Sequence, residues 1–134
     1  MCSRTTYIAT YNVLSCHPSI DGWFLTAGQF AEFTLINPKE TDEEGNKRLF
    51  SIASSPNYGD YIMIATRMRN TAFKNNLKNM PLGEKIRVRG PMGIFTLHSD
   101  ASKPAVFLAG GIGITPFRSI IEFAAEQKLP HKIH

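Results

Sequence analysis

The spacing of turn residues is the feature that most constrains the fold. Through the first two thirds of the chain, Gly and Pro separate short stretches rich in β-branched and aromatic residues, and one such break is Gly90-Pro91. Stretches of this kind predict β-strands. The predicted strands are Thr6–Leu14, Gln29–Ile36, Arg48–Ala53, Asp60–Arg67 and Lys85–Arg89, with a short piece at Ile94–Leu97. Because most of them have no helix between them, they indicate a closed barrel or a sandwich.

One short helix interrupts this pattern. Thr71 is a suitable N-cap, and Phe73, Leu77 and Met80 recur at helical spacing before Pro81 ends the helix. Its structural role would be that of a lid on the mouth of the barrel.

The pattern changes at Pro104. The apolar stretch PAVFLAGGIGI runs into glycines, and a helix is predicted over Pro116–Gln127. Its apolar stripe consists of Phe117, Ile120, Ile121 and Ala124. Strand, glycine turn and helix are typical of the start of a parallel α/β unit, with HKIH as the next strand. A parallel strand needs cover on both faces. We therefore divide the chain into domains at 1–100 and 104–134, and expect the second domain to continue downstream.

The charge balance is basic. Lys and Arg number 15 against 11 Asp and Glu, a formal charge of +4. This charge suits an anionic partner, which could be nucleic acid or a phosphate-bearing cofactor. The basic residues alternate with apolar ones along the predicted strands, so most of them are interpreted as solvated strand edges. The polar, acidic segment Pro38–Lys47 is interpreted as an exposed loop without a function.

We predict no disulfide framework, membrane span or metal site. The two cysteines, Cys2 and Cys16, are interpreted as free thiols in a reducing compartment. The N-terminus lacks the apolar core of a signal peptide, and the longest apolar run, Ala105–Ile114, is shorter than the roughly 20 residues that a bilayer needs. The four histidines have no metal-ligand spacing. We therefore expect a cytoplasmic protein.

The first candidate binding motif is Arg48-Leu49-Phe50-Ser51. Side chains alternate along a strand, so Arg48 and Phe50 share one face. A guanidinium beside an aromatic ring can hold a phosphate and a flat ring together, and a nearby hydroxyl can hydrogen-bond a ring nitrogen. The structural alternative is a plain strand with an edge arginine and a core phenylalanine.

The second motif spans residues 66–74, where a strand ends and the short helix begins. The unpaired amides of residues 72–74 carry partial positive charge and attract phosphate. Arg67, Arg69 and Lys74 would add charge. An ordinary capped helix is the structural alternative.

Two glycine motifs follow. The stretch from Gly90 to Leu97 is interpreted as a tight turn that closes the barrel. In the stretch from Leu108 to Pro116, glycines would bring the backbone close to a ligand phosphate. The stretch from Leu108 to Pro116 departs from the pattern G-x-G-x-x-G, because Pro116 replaces the third glycine. A proline at this position fits the first turn of a helix. A purely structural glycine turn is the alternative.

In this order, the four motifs closely resemble those of the ferredoxin–NADP reductase family. The family pattern is Arg-x-Tyr/Phe-Ser, a phosphate-binding helix start, Gly-Pro-x-Gly-x-Phe and Gly-Gly-x-Gly-x-Thr-Pro, and the likeness includes Ala27-Gly28-Gln29-Phe30. The resemblance implies a mainly β fold: a six-stranded antiparallel Greek-key barrel capped by one helix and followed by a truncated, Rossmann-like α/β start. It also implies FAD as cofactor, NAD(P)H as a cofactor of the full-length protein, and a ferredoxin-like or other electron-acceptor protein as partner.

The resemblance further implies roles by position. Arg48 would hold the FAD pyrophosphate, Phe50 would stack against the isoalloxazine or ribityl part, and Ser51 would lie by the reactive ring nitrogen as the catalytic candidate. The strand lining the flavin would be Ile64, Ala65 and Thr66. The pyrophosphate would meet Thr71, Ala72, Phe73 and Lys74. The residues facing the nicotinamide cofactor would be Gly110, Gly111, Gly113 and Thr115.

The implied function is electron transfer between NAD(P)H and an iron–sulfur or other one-electron acceptor. One alternative is a non-catalytic flavin-binding relay subunit that needs a partner chain for turnover. A nucleic-acid-binding barrel would need exposed aromatic residues among the basic ones. It is disfavoured because Phe50 and Phe73 fall at cofactor positions.

Overall fold

The computed structural model describes residues 5–8, 11–16, 24–58, 61–81 and 83–134, and this part of the chain is mainly β. Its six strands are β1 Thr5–Ile8, β2 Tyr11–Cys16, β3 Phe30–Leu35, β4 Lys47–Ser51, β5 Ile62–Arg67 and β6 Ile86–Met92. Its two α-helices are α1 Ala72–Lys78 and α2 Ile114–Glu126. Short 3₁₀ turns lie at Pro56–Tyr58 and Gly111–Gly113.

The strands form two antiparallel three-stranded sheets, ordered β1-β2-β5 and β4-β3-β6. The sheets meet where the chain leaves β4. There, Ile52 forms an isolated antiparallel bridge with Ile64 of β5, and the Ala53 amide donates to the Met63 carbonyl at 2.6 Å. These contacts place the end of β4 against β5 and so connect the two sheets.

Three strand predictions need correction. The stretch Thr6–Leu14 is two strands, β1 and β2, paired with Ile8 opposite Tyr11; no Gly or Pro marks the change of direction. Ile94–Leu97 is not a strand, because the Thr96 amide donates to the Ile94 carbonyl in a local turn. The predicted break at Gly90-Pro91 lies inside β6, where a one-residue bulge shifts the pairing with β3.

The hydrophobic core lies between the sheets and α1. Alternation along β3 buries Ala31, Phe33 and Leu35, as expected for a strand with one face inward. Helix α1 contributes Phe73 and Leu77 to the same core. The helix predicted after Thr71 is therefore present, and its apolar stripe covers the sheets.

The C-terminal unit packs against the loop between β4 and β5. The Ser119 hydroxyl of α2 donates to the Ser54 carbonyl at 2.7 Å, and the Arg118 guanidinium donates to the Ala53 carbonyl at 2.6 Å. Helix α2 begins two residues before its predicted start. Ile121, predicted on the apolar stripe of α2, is 43% exposed. The face of α2 that packs against the loop is instead centred on Ser119.

The stretch predicted as a parallel strand has a partner. Ala105 forms a parallel bridge with Ile133, and the Phe107 amide donates to the His134 carbonyl at 2.8 Å. The two segments are parallel neighbours, but only this isolated bridge forms, so neither the stretch after Pro104 nor HKIH is a regular strand in the described structure. Val106 and Leu108 remain exposed in the described structure, at 65% and 87%.

Candidate functional site

Strand β4 carries Arg48 and Phe50 of the first motif on one face. Arg48 and Phe50 are half-buried, while Leu49 between them is 59% exposed. The Phe50 ring lies 5.8 Å from the Phe33 ring in an edge-to-face arrangement, and 5.8 Å from the Phe73 ring of α1. Phe50 thus lies at the margin of the core, between β3 and the helix.

The Arg48 guanidinium lies over the Phe73 ring, with its Cζ atom 5.2 Å from the ring centroid. This distance is within the range of cation–π attraction. Arg48, Phe50 and Phe73, hereafter the Arg–Phe cluster, therefore meet across β4 and the first turn of α1. The sequence predicted the arginine, the aromatic ring and the helix start separately, and the structure brings them together.

The cap of α1 comes from a distant loop. Thr71 has the extended backbone of an N-cap residue, but its side chain makes no capping hydrogen bond. Instead, the Asp42 carboxylate accepts a hydrogen bond from the Ala72 amide at 3.0 Å. A carboxylate at a helix N-terminus is favoured by the partial positive charge there.

The same loop also contacts Arg48, and the sequence analysis did not predict this contact. Glu44 Oε2 lies 2.5 Å from Arg48 Nη2, and Asp42 Oδ1 lies 3.6 Å from the same nitrogen. The segment Pro38–Lys47, interpreted from sequence as a loop without a function, thus covers the positive charge of the site. Its acidic composition, close in sequence to an arginine, is the signal that could have indicated this contact.

Lys74 lies close to several other positively charged side chains. Its ammonium group donates to the Arg67 carbonyl at 2.6 Å. Burial, and next the positive charges of Arg69 and Arg48, lower the pKa of Lys74 from its ordinary 10.5. Mutual repulsion of this kind is relieved when an anion binds among the cations.

The predicted residues of β5 divide between two faces. Ile64 and Thr66 are buried, at 1% and 4% exposed, and Ile64 belongs to the core. Ala65 lies on the opposite face and is half-buried. On β4, Ser51 follows Phe50 and by alternation shares the face of Leu49. A ligand beside these strands would therefore meet the Ala65 methyl and main-chain atoms rather than the Ile64 side chain.

The glycine motif forms an exposed turn beside β5. Gly110, Gly111 and Gly113 have open space at the position of an added Cβ. Thr115 is instead buried, and its hydroxyl donates to the Ile112 carbonyl at 2.6 Å. Its side chain therefore holds the glycine turn onto α2.

Two kinds of feature are absent from the described residues. No helix in that part of the chain is long and apolar enough to cross a bilayer. Within the same residues, no three His, Cys, Asp or Glu side chains are grouped so that they could hold a metal ion. Cys2 and the Cys16 side chain lie outside what the structure describes.

Comparison with known proteins gives consistent matches, although no family model matches the chain. It is 33% identical over 110 residues to the CDP-6-deoxy-L-threo-D-glycero-4-hexulose-3-dehydrase reductase of Yersinia pestis, covering 81% of this chain and 31% of that protein. It is 37% identical over 76 residues to ferredoxin–NADP reductase B of Sorangium cellulosum, covering 56% of this chain and 31% of that protein. The chain thus spans about a third of the length of these curated relatives.

A solved structure has the same fold. The flavohem-like FAD/NAD-binding domain of nitric oxide dioxygenase from Vibrio cholerae superposes with a TM-score of 0.74 at 20% identity. The match covers 96% of this chain and 56% of that chain.

Proposed function

Because the chain belongs to the ferredoxin–NADP reductase-like family, we propose that it is the flavin-binding part of an FAD-dependent NAD(P)H oxidoreductase. The whole protein would pass electrons from NAD(P)H to an iron–sulfur or other one-electron acceptor. The names of the relatives support this proposal, since they are reductases and one is a ferredoxin–NADP reductase. The matching Vibrio cholerae structure is an FAD/NAD-binding domain, which supports FAD and NAD as the cofactors.

The observation that carries the proposal is the Arg–Phe cluster. A guanidinium offers two parallel donors to a phosphate, and an aromatic ring beside it offers a surface for a flat ligand. Arg48 would hold the FAD pyrophosphate, with Thr71, Ala72, Phe73 and Lys74 around it, and Phe50 would contact the isoalloxazine or ribityl part. The crowded cations around Lys74 support an anionic ligand, because a diphosphate would relieve their repulsion.

The remaining site residues would line the flavin or receive the nicotinamide. The Ala65 methyl, with the main-chain atoms of Ile64 and Thr66, would form the wall along the ribityl chain. Ser51, at the end of β4, would offer its hydroxyl to a ring nitrogen. The exposed glycines Gly110, Gly111 and Gly113 would let a second nucleotide approach the main chain. Thr115 would act by fixing that turn through Ile112.

The proposal extends to the architecture. The two sheets, joined at Ile52 and Ile64, would be the halves of one six-stranded Greek-key barrel in residues 1–100. Residues 104–134 would be the start of the nicotinamide-binding domain. The parallel bridge between Ala105 and Ile133 supports this assignment, because parallel neighbours are typical of α/β units.

The protein's own contribution would be binding and orientation. When bound, the flavin supplies the redox chemistry, accepting a hydride and delivering electrons to the acceptor. Arg48 and Lys74 would neutralise the phosphates, and the rings of Phe50 and Phe73 would limit solvent on one side.

The test is the exchange of Arg48 for Ala. We expect R48A to weaken FAD binding by about 1–3 kcal/mol, roughly 5- to 150-fold, because a charge-assisted hydrogen-bonding partner is lost. R87A is the matched control, since Arg87 is an exposed arginine of β6, and it should bind FAD as the parent does. Isothermal titration of flavin-free protein gives both values. Equal affinities for R48A and the parent would show that Arg48 does not hold the cofactor.

A second measurement tests the activity of the whole protein. Flavin absorbance bands that bleach on anaerobic addition of NADH or NADPH are expected of a reductase. Flavin bands that stay unchanged with both nucleotides would instead support a relay subunit that needs a partner chain.

A further inference from the structure

Both terminal nitrogens of the Arg48 guanidinium already donate to groups within the chain. Nη1 donates to the main-chain oxygens of Glu44 at 2.8 Å, Gly45 at 3.1 Å and Lys47 at 2.7 Å. Nη2 donates to Glu44 Oε2 at 2.5 Å and lies 3.6 Å from Asp42 Oδ1. A phosphate that accepts hydrogen bonds from both Nη1 and Nη2 would therefore compete with these contacts.

The loop that makes most of these contacts, residues 39–45, is here called the acidic loop. Besides the Asp42 contact with the Ala72 amide, two hydrogen bonds join this loop to α1. Asn76 of α1 donates to the Glu40 carbonyl at 2.8 Å, and its side-chain oxygen accepts from the Lys39 amide at 2.7 Å. The acidic loop is therefore held over the same helix start and the same arginine that the proposed cofactor site uses.

Carboxylates and phosphates compete for the same partners, since both accept charge-assisted hydrogen bonds from a guanidinium and from main-chain amides. We propose that the acidic loop is a built-in competitor of the cofactor, in which Asp42 and Glu44 hold Arg48 and the Ala72 amide until the diphosphate of FAD displaces them. This inference rests on the proposed function, because it concerns the regulation of that site.

The contacts are of a kind that a ligand can displace. The Glu44 side chain is 67% exposed, against 32% for Asp42, and exposed ion pairs contribute little to stability. A diphosphate carries more charge than one carboxylate and also brings the binding of the attached flavin. The acidic loop would thus lower the affinity for cofactor and favour ligands that carry a diphosphate over smaller anions.

The test compares the loop variants D42N and E44Q with E43Q in flavin-free full chain. Asn and Gln keep the shape of the side chain and remove its charge. Glu43 is the matched control, since it is an exposed carboxylate of the same loop with no ion pair among the described residues. We expect E44Q to bind FAD about two- to fivefold more tightly than the parent, and a variant that carries both D42N and E44Q more tightly still. E43Q should stay within about twofold of the parent.

Riboflavin, which has no phosphate, separates this mechanism from a general change in the fold. We expect the parent and all variants to bind riboflavin equally. A tightening of riboflavin binding equal to that of FAD would overturn the inference, as would D42N and E44Q proteins that bind FAD no better than E43Q. Because D42N also alters the cap of α1, E44Q decides the result if D42N unfolds.

The outcomes for the inference and for the proposed function can be told apart. FAD binding with the same affinity in the parent and all of these variants would overturn the competitor role alone. A complete lack of FAD binding in every one of these proteins would overturn the proposed function, and this inference with it.

Discussion

At the scale of single residues, Phe73 joins the core to the candidate site. Its side chain is 1% exposed and packs with Leu77 and Phe33 in the same buried cluster. Its ring also lies under the Arg48 guanidinium and beside Phe50. The position of the cation is therefore set by a ring that the core itself holds in place. A site residue fixed in this way loses little conformational freedom when a ligand binds.

Lys74 gives a prediction for the pH dependence of cofactor binding. Burial and the charges of Arg69 and Arg48 lower the pKa of Lys74 in the free protein below 10.5, and a bound phosphate would raise it again. Binding then takes up a proton, so the affinity for FAD should fall as the pH rises through the lowered pKa toward 10.5. Titration at a series of alkaline pH values checks this.

The variant K74Q isolates the contribution of that residue. It should bind FAD more weakly than the parent at neutral pH and should lose the part of the alkaline decline that Lys74 causes. K85Q, which removes an exposed lysine, should keep the full decline. The same alkaline decline in K74Q and the parent would contradict a phosphate next to Lys74, since titration of the flavin itself is common to all three proteins.

At the scale of elements, the turn before β3 depends on a close approach at Gly28. Its φ is +98°, and a Cβ added there would lie 2.1 Å from the Phe95 carbonyl oxygen. We expect G28A to destabilise the protein by more than about 2 kcal/mol, because it adds a steric clash to the strain of a positive φ. Urea unfolding followed by circular dichroism measures the change.

Gly83 offers the matched control for this prediction. Its φ is +88°, but an added Cβ would meet no atom within 4 Å. G83A should therefore show only the cost of the backbone conformation, about 1 kcal/mol. A loss of stability in G28A no larger than in G83A would mean that the 93–97 segment does not rest on Gly28 in solution.

The elements also show which features a sequence can predict. Helix α1 was predictable because its signals are local: Thr71 at the cap, Phe73 and Leu77 on one face, and Pro81 after the end. The division of the first predicted strand into β1 and β2 was not, because no turn residue marks it. The Asp42 and Glu44 contacts were missed for a related reason. Local composition identifies a polar loop, but the fold decides which cation that loop reaches.

The candidate site follows the same division. The arginine, the aromatic ring and the helix start were each predicted from local sequence and family resemblance. Their convergence depends on the packing of α1 over β4, which no local pattern specifies. Thr115 shows the opposite case, since its place in a motif suggested a residue facing a ligand. Its buried hydroxyl instead bonds within the turn.

At the scale of the whole molecule, the proposed function requires the C-terminal unit to keep a fixed position relative to the flavin-binding part. Polar contacts to the loop between β4 and β5 help to hold it, and one of them is fully buried. The Ser119 side chain is fully buried and donates to the Ser54 carbonyl, and the Ser55 hydroxyl donates to the Glu126 carboxylate at 2.6 Å. Buried hydrogen bonds fix geometry more strictly than apolar contact, because a small shift leaves a polar group without a partner.

The variant S119A tests this coupling. It removes the donor to the buried Ser54 carbonyl and should lower the free energy of unfolding by about 1–3 kcal/mol. S99A, at an exposed serine, should change it by less than about 0.5 kcal/mol.

Hydrogen exchange then distinguishes local from global effects. If the two parts unfold together, amides in α2 and in β3 should lose the same protection in S119A. Faster exchange confined to α2 would mean that the C-terminal unit opens on its own, and that Ser119 fixes its position without stabilising the strands beneath it.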